Sequence, residues 1–595
     1  LKRTVKRIQI YACGPKFAGC EKGMVINMRR QRNMTVAGIS VALLILLILI
    51  ITAVVKRFTP SDEHMELKDY YPVKGKEVQV ILQDTLYEKK GILQDGQVYL
   101  DYETVKDIFN DRFYWDENEN ILSYTTPNEI IRAEIGNKYY NENNGSIDTD
   151  YQPVILDGQT VYVAIDFVKQ YSDMHYKYYK DPSRVVVEYK WGDILVTKAK
   201  KEAQLRVEGN IKSDILKDLT PEDELLLLDT DEASAGKFYK VISKDGIIGY
   251  VKAKQMVKPF YNTLESSYSP PEYSHISLQG KVNLVWHQVT NHDANKSLTD
   301  LLANTKGVNC VSPTWFKLAD NNGGITSLAS ESYVERAHNL GLQVWALVDD
   351  FSTEVDKKEV LSHTSKRKKL VNVLVAETIK YGIDGINIDF ENIPSEAGED
   401  YIQFIRELSV KCRSNGIVLS IDNYVPASYN SHYNWEEQGA VADYVIIMAY
   451  DEHHSGSEVS GSVSSISFVE KAVTEITKYV PKERVVMGIP FYTRLWKEEK
   501  QEDGTVKVTS EAYGMRAAEN FLKDNNVTAE WDDATGQYYG EFEKEGILNR
   551  MWLEEEDSLE AKLKAISGAD VAGVASWKLG LEKDSVWNVI VKYLN

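Results

Sequence analysis

Residues 280–595 read as a (β/α)₈ barrel, the last and largest part of a multidomain chain of 595 residues. Eight short apolar runs recur through this stretch with helical patterns between them, and a repeating strand–helix unit of that kind closes into a parallel barrel. One run, Asp384-Gly385-Ile386-Asn387-Ile388-Asp389-Phe390-Glu391, alternates apolar and polar residues. Alternation puts Asn387, Asp389 and Glu391 on one face of a strand, where acids in an apolar setting are costly unless paired or functional. Such a column suits a carboxyl group that is kept protonated and ready to donate.

The elements before the barrel follow from composition and spacing. Residues 1–34 are a basic tail: eleven Lys/Arg and one Glu precede residue 58, a balance of +10 against −20 for the whole chain. The remainder therefore carries about −30, which excludes a nucleic-acid binder, since phosphate binding needs clustered positive charge. Residues 35–55 carry no charge and are dominated by Val, Ala, Leu and Ile. At 1.5 Å per residue they span about 30 Å, a bilayer core. The run is too long for a signal peptide and no small-residue cleavage pattern follows it, so a retained transmembrane helix is expected. Arg29, Arg30 and Arg32 place the N-terminus in the cytoplasm and everything after Arg57 outside. Met24, Met28 and Met34 are candidate starts. Cys13 and Cys20 precede the span; Cys310 and Cys412, in apolar contexts, read as buried free thiols.

Residues 66–190 form an α+β module with an internal repeat. Residues 91–100 are echoed by 153–162, each with an Asp-Gly pair (Asp95-Gly96, Asp157-Gly158) that signals a hairpin. Each is followed by a short amphipathic helix, 102–109 and 165–171, and then by a strand, 121–124 and 185–189. This pattern resembles the repeats called the copper amine oxidase N-terminal-like domain, and the lack of clustered His removes any expectation of copper. Residues 193–257 read as a small all-β barrel with strand-like segments at 203–206, 225–228, 238–243 and 245–251 and a long polar loop after the first. Its closing Asp245-Gly246-Ile247-Ile248-Gly249-Tyr250-Val251 resembles bacterial SH3-like domains, either a wall-contact module or a spacer. Residues 258–279, with Ser269-Pro270-Pro271, read as a linker.

In the barrel, strands are expected at 282–286, 308–313, 343–348, 385–391, 418–421, 444–450, 485–489 and 574–577. Helices at 333–339, 369–381, 401–414 and 468–479 lie between them. The long stretch between strands seven and eight, about 494–559, reads as an inserted α+β lobe beside the mouth. Catalytic groups of such barrels come from the C-terminal strand ends. Glu391 ends strand four, Asp349 and Asp350 end strand three, and Met448-Ala449-Tyr450-Asp451 ends strand six. Tyr492 and Arg494 follow strand seven, and Trp577 ends strand eight.

This set resembles glycoside hydrolase family 18, whose strand-four signature Asp-Gly-x-x-x-Asp-x-Glu stands complete as Asp384-Gly385, Asp389 and Glu391. The stretches 311–316, 345–350 and 488–494 further resemble its spore-cortex-lytic, peptidoglycan-acting branch. The resemblance implies a glycosidase that needs no cofactor or metal and acts on β-linked N-acetylglucosamine in peptidoglycan or, alternatively, chitin. A sugar-binding wall protein without catalysis is the alternative of another class, disfavoured by the intact Glu391. Glu391 is implied as general acid and base, Asp389 as the group that orients the substrate's acetamido nucleophile, and Tyr450 as its hydrogen-bond partner. Asp384, Asn387, Met448, Asp451, Tyr492, Arg494 and Trp577 are implied as substrate-binding. Asp389 and Glu391, one pleat apart, repel when both are charged, which raises one pKa as an acid catalyst needs.

Asn387 departs from the Asp that many chitinases carry there. An amide can hydrogen-bond Asp389 but cannot take its charge, which predicts an altered acidic limb of the pH profile. His453-His454 reads as a solvated loop rather than a metal site, and His287 as a hydrogen-bonded pocket residue. Trp315, Trp345 and Trp496 either stack sugars or pack in the core.

Overall fold

The structure is a computed structural model that describes residues 21–143, 145–228 and 237–594, with side chains from residue 32. The first 20 residues of the basic tail, Cys13 and Cys20 among them, lie outside the described residues. The chain divides into two compact units, Leu1–Glu88 with Tyr176–Glu265, and Lys89–His175 with Ser266–Asn595.

In the first unit a single helix runs Glu21–Phe58, and its Arg32–Phe58 part is long and apolar enough to cross a membrane. The hydroxyls of Ser40 and Thr52 donate back to the Val36 and Leu49 carbonyls, so these two polar side chains need no outside partner. Glu77–Leu82 pairs in parallel with Arg184–Glu188. A separate seven-stranded sheet is built from Gly192–Lys198, Ala203–Arg206, Ile215–Leu219, Glu224–Leu227, Phe238–Ser243, Ile248–Lys252 and Phe260–Leu264.

Three expectations are corrected here. The polar loop after Arg206 contains the strand Ile215–Leu219, paired with Ala203–Arg206. The linker is also shorter than expected, because Phe260–Leu264 pairs with Gly192–Lys198 along its length. The repeat module is split as well. Ile81 and Val186 pack on Ile242 of the all-β sheet, and the buried Tyr71 hydroxyl donates to the Gly246 carbonyl at 2.9 Å. The first and last strands of residues 66–190 are thereby drawn into the first unit.

In the second unit the two expected hairpins form, Gly91–Gln94 with Gln97–Asp101 and Val154–Asp157 with Thr160–Ala164. They join through Val163 opposite Leu100. Asp95 and Gly96 both take positive φ, 51° and 84°, the backbone that a two-residue hairpin with right-handed strand twist requires. The strand at Ile121–Thr125 does not close the first repeat. It belongs to a five-stranded meander that runs from Tyr114–Asp116 to Gly145–Asp148.

That meander docks on two barrel helices, Thr364–Tyr381 and Gly398–Asn415. Glu407 sits between Arg132 of the meander (2.9 Å) and Arg367 of the barrel (3.5 Å), and Arg367 lies 4.6 Å from the Tyr114 ring centre. The Asp116 carboxylate accepts the Thr364 backbone N–H at 2.6 Å. Further along, Arg112 meets Glu437 at 3.0 Å.

The barrel strands are β1 (Val282–His287), β2 (Cys310–Leu318), β3 (Gln343–Asp349), β4 (Gly385–Asp389), β5 (Val418–Tyr424), β6 (Tyr444–Met448), β7 (Val485–Pro490) and β8 (Gly573–Trp577). Each pairs in parallel with its neighbour, and β1 pairs with β8, so the ring closes. One core lies between strands and helices, with Ile386, Ile388 and Phe390 facing Leu370, Leu374 and Phe404. A second fills the ring interior with Leu284, Trp286, Trp345, Ile446 and Val486. Gly385 is required where it stands, since a Cβ there would lie 2.6 Å from the Trp345 ring.

Residues 266–279 follow the N-terminal ends of the strands: the Ile276 N–H donates to Asp443 and the Leu278 N–H to the Tyr444 hydroxyl. The inserted lobe is a five-stranded antiparallel sheet from Tyr492–Lys500 to Ile547–Trp552 with the helix Met515–Asp524. A fully buried pair, Lys562 with Glu554 at 2.7 Å, anchors it, and Gln537 of the lobe donates to the same carboxylate at 2.7 Å.

Candidate active site

Alternation along β4 sends Ile386 and Ile388 to the helices and Asn387 and Asp389 into the ring, both buried. Glu391 stands two residues past the strand end, partly buried at the C-terminal mouth. Asp350, at the end of β3, fixes the turn that carries it: its carboxylate accepts the backbone N–H groups of Glu391 and Asn392 at 3.1 Å each.

Burial pushes the Glu391 carboxyl above the usual carboxylate range, and the charges of Asp350 and Asp451 add to this. Hydrogen bonds from Tyr424, whose hydroxyl donates to Oε2, and from Asp389 pull it partly back. Burial raises Asp389 much further, with Asp422, Glu391, Asp350 and Asp349 acting in the same direction. Burial and mutual repulsion of the acids thus both favour keeping a proton in the site, the state a general acid needs.

Aromatic groups from four strand ends surround these acids. The Trp286 ring lies 6.0 Å from that of Trp577 and 6.4 Å from that of Tyr450, and Tyr450 lies 6.4 Å from Tyr492. The Tyr492 hydroxyl donates to Asp451 at 2.5 Å. Met448 is buried in the ring interior beside Tyr450. Arg494 begins the lobe and donates to the Ser510 hydroxyl at 3.0 Å. The sequence-derived set of Glu391, Asp389, Tyr450, Met448, Asp451, Tyr492, Arg494 and Trp577 is therefore brought to one end of the barrel.

Asp384 is not. It precedes β4 at the opposite end, where its carboxylate accepts the Val344 N–H at 2.8 Å and meets His338 at the same distance. Five residues of strand separate it from Asp389, about 17 Å of rise. Asn387 also departs from expectation. Its amide donates to Asp422 at 2.8 Å, not to Asp389, and its carbonyl accepts from Trp286 Nε1 and Ser312 at 3.0 Å each.

Asp422 on β5 and Tyr424 at its end are site residues that the sequence reading missed. The polar alternation of Ser420, Asp422 and Tyr424 in an apolar run was the available signal. Trp315, Trp345 and Trp496 are buried, with indole N–H groups satisfied by Asn295, Gln343 and the Gly461 carbonyl, so they pack rather than stack sugars. His287 hydrogen-bonds Tyr333 at 3.0 Å, and burial beside Lys578 lowers its pKa to about 4. His453 meets the Ser462 carbonyl at 2.9 Å, and among the described residues no cluster is arranged to hold a metal ion.

The model of glycosyl hydrolases family 18 matches residues 324–582, the stretch that carries β3 to β8, the lobe and the acids of this site. Residues 324–582 are a family 18 glycosyl hydrolase domain. The copper amine oxidase N-terminal domain model matches residues 79–187. The chain is 27% identical over 237 residues to the putative sporulation-specific glycosylase YdhD of Bacillus subtilis, covering 39% of this chain and 55% of that one. It is 25% identical over 250 residues to the cortical fragment-lytic enzyme of Bacillus anthracis, covering 41% and 57%. The chain thus spans about half the length of these curated relatives. The crystal structure of the Bacillus cereus spore cortex-lytic enzyme SleL superposes with a TM-score of 0.48 at 19% identity, covering 56% of this chain and 78% of that one.

Proposed function

We propose that this chain is a membrane-anchored, extracytoplasmic glycosidase that hydrolyses β-linked N-acetylglucosamine bonds in peptidoglycan with retention. The observation that carries the reading is Glu391 at the barrel mouth, its carboxyl pushed up by burial, with Asp389 one pleat below and hydrogen-bonded to it. Glu391 protonates the glycosidic oxygen. Asp389 lies on the same strand and is badly placed to attack the opposite sugar face, so the substrate's acetamido oxygen is the nucleophile and an oxazolinium ion forms. Asp389 accepts the acetamido N–H as that nitrogen becomes cationic. Tyr450 donates to the acetamido oxygen, Trp577 floors the sugar, and Tyr492, Asp451 and Arg494 contact its hydroxyls. Glu391 then removes a proton from the water that opens the ring. This scheme dispenses with the second nucleophilic carboxylate of most glycosidases.

Peptidoglycan is favoured as substrate by the likeness to cortical fragment-lytic enzymes. The helix Arg32–Phe58 acts as the anchor, with the basic tail in the cytoplasm. The modules between anchor and barrel act as the wall-facing spacer. Digestion of peptidoglycan and of chitin oligosaccharides, followed by mass spectrometry of the products, tests the proposal. New reducing-end N-acetylglucosamine from peptidoglycan is expected, with none from the Glu391→Gln control. Wild type and control that both leave the two polymers intact would refute catalysis, and cleavage of chitin alone would make the enzyme a chitinase.

A further inference from the structure

Two buried carboxylates lie beneath Glu391, and the scheme above uses one. Asp389 on β4 and Asp422 on β5 are 6% and 2% exposed. The parallel ladder sets Ile388 opposite Ile421, so the residues that follow, Asp389 and Asp422, are neighbours pointing into the ring. Their hydrogen bonding is unequal. Asn387 presents its amide nitrogen to Asp422 and cannot turn round, because its oxygen is held by Trp286 and Ser312, and an indole N–H can only donate. A fixed donor favours the ionised form of Asp422. Asp389 has a fully buried Oδ1 with no hydrogen-bond partner, which favours its neutral form. Two carboxylates this close in a protein interior do not both ionise readily.

We infer that Asp422 holds the resident negative charge of this pair and, as a positioning residue, keeps Asp389 protonated in the resting site. The inference rests on the glycosidase reading for its consequence. Asp389 then donates its proton to Glu391, and Glu391 passes one to the leaving oxygen. One proton travels from Asp389 to Glu391 to the glycosidic oxygen, and the carboxylate left on Asp389 faces the oxazolinium that has just formed. Asp422 thus opposes ionisation of Asp389 until a cation is present to offset it. The charge absent from position 387 is supplied from the next strand.

The groups facing the pair are Glu391, Asp349 and Asp350 at the mouth, Tyr424 at the end of β5, Tyr433 after it, Tyr450 after β6, Tyr401 from the helix Gly398–Asn415, and Trp286 from β1. None of these is cationic.

The test is the pH profile of kcat/KM on a muropeptide substrate, with the full chain in detergent, for wild type, Asp422→Asn and the exchange variant Asn387→Asp/Asp422→Asn. Losing the Asp422 charge lowers the pKa of the Asp389–Glu391 pair, so the alkaline limb moves down by about one pH unit or more, the size expected for charges a few ångströms apart. The exchange variant, with the charge back on β4, returns the limb to within about half a unit of wild type. A purely structural role would lower activity evenly at all pH values without moving the limb. Melting temperature against pH gives a second readout without turnover. Burial raises Asp422 as it raises Asp389, and groups whose folded pKa is raised contribute stability below about pH 4 and lose it as pH rises through the folded pKa. Asp422→Asn removes one such group and relieves the other, so its fall in Tm from pH 4 to 8 is shallower than that of wild type. Superimposable Tm curves overturn the inference, as does an unmoved alkaline limb. A wild type inactive on every glycan defeats the glycosidase reading alone and leaves the Tm curves to decide this one.

Discussion

Glu407→Gln measures how firmly residues 89–175 are held on the barrel. Glu407 is 1% exposed and lies between Arg132 of the meander and the fully buried Arg367. Burial alone would raise its pKa, but the two guanidinium groups outweigh burial and hold the carboxyl below its usual range. Glutamine keeps the volume and leaves both arginines without their carboxylate. Removing one partner of a buried ion pair costs about 3–5 kcal/mol. The unit holds about 420 residues, and at ~2.1 cal/mol/K per residue its unfolding entropy is roughly 0.9 kcal/mol/K. The melting temperature should therefore fall by about 3–6 °C at pH 7 in a calorimetric scan. Because the folded pKa is depressed, this stability is present above the unfolded pKa and is lost as pH falls through the folded one, so the gap between wild type and variant narrows below about pH 4. A double-mutant cycle with Arg132→Met should give a coupling well above the ~0.5 kcal/mol scatter of independent sites. A drop below about 1 °C, or additivity in the cycle, would refute the reasoning.

Four further outcomes are expected. Glu391→Gln should lower kcat by about 10²–10⁴-fold, the usual worth of a general acid, with glycan binding retained by calorimetry. Tyr424→Phe removes a hydrogen bond that favours ionised Glu391, so the alkaline limb of kcat/KM should move to higher pH, opposite in sign to Asp422→Asn. Lys562→Met leaves Glu554 buried and unpaired and should destabilise the lobe by about 3–5 kcal/mol, read as an earlier urea transition. Asp350→Asn removes the charge that holds the turn after β4; kcat should fall about tenfold with KM little changed, since general-acid positioning is a transition-state effect.

Much of the fold was legible because a barrel repeats one local rule. The run at 344–348 is apolar on both sides, as buried parallel strands must be, and the ends of the helices fall at Gly382 and Gly416, both with positive φ. The column Asn387–Asp389–Glu391 was legible for the same reason, since alternation alone fixes which side chains share a face. What local pattern cannot supply is the neighbour across the ladder. Asp422 stands next to Asp389 only through the register of β4 on β5, 33 positions later in the chain, and Arg132 meets Glu407 only through docking of a separate sheet. Asp384 illustrates the opposite error. Its place in a motif suggested a shared site, while strand direction carries it to the far end. The strand at Phe260–Leu264 was missed because its exposed polar residues look like linker and its order comes from one edge of a sheet.

The pairing of β1 with β8 sets a schedule for the protein as it is made. Val282 bonds alongside Gly573, about 290 residues later. At roughly 5–20 residues per second, synthesis takes some 15–60 s to deliver the second partner after the first. Through that interval β1 has one open edge, and such an edge is a ready template for pairing with another chain. For a chain threaded across a membrane in the same order, the interval falls outside the cell, so guarding that edge becomes a task for whatever receives the chain on the far side. Slow delivery of the last strand should then show up as aggregation of the half-exported protein.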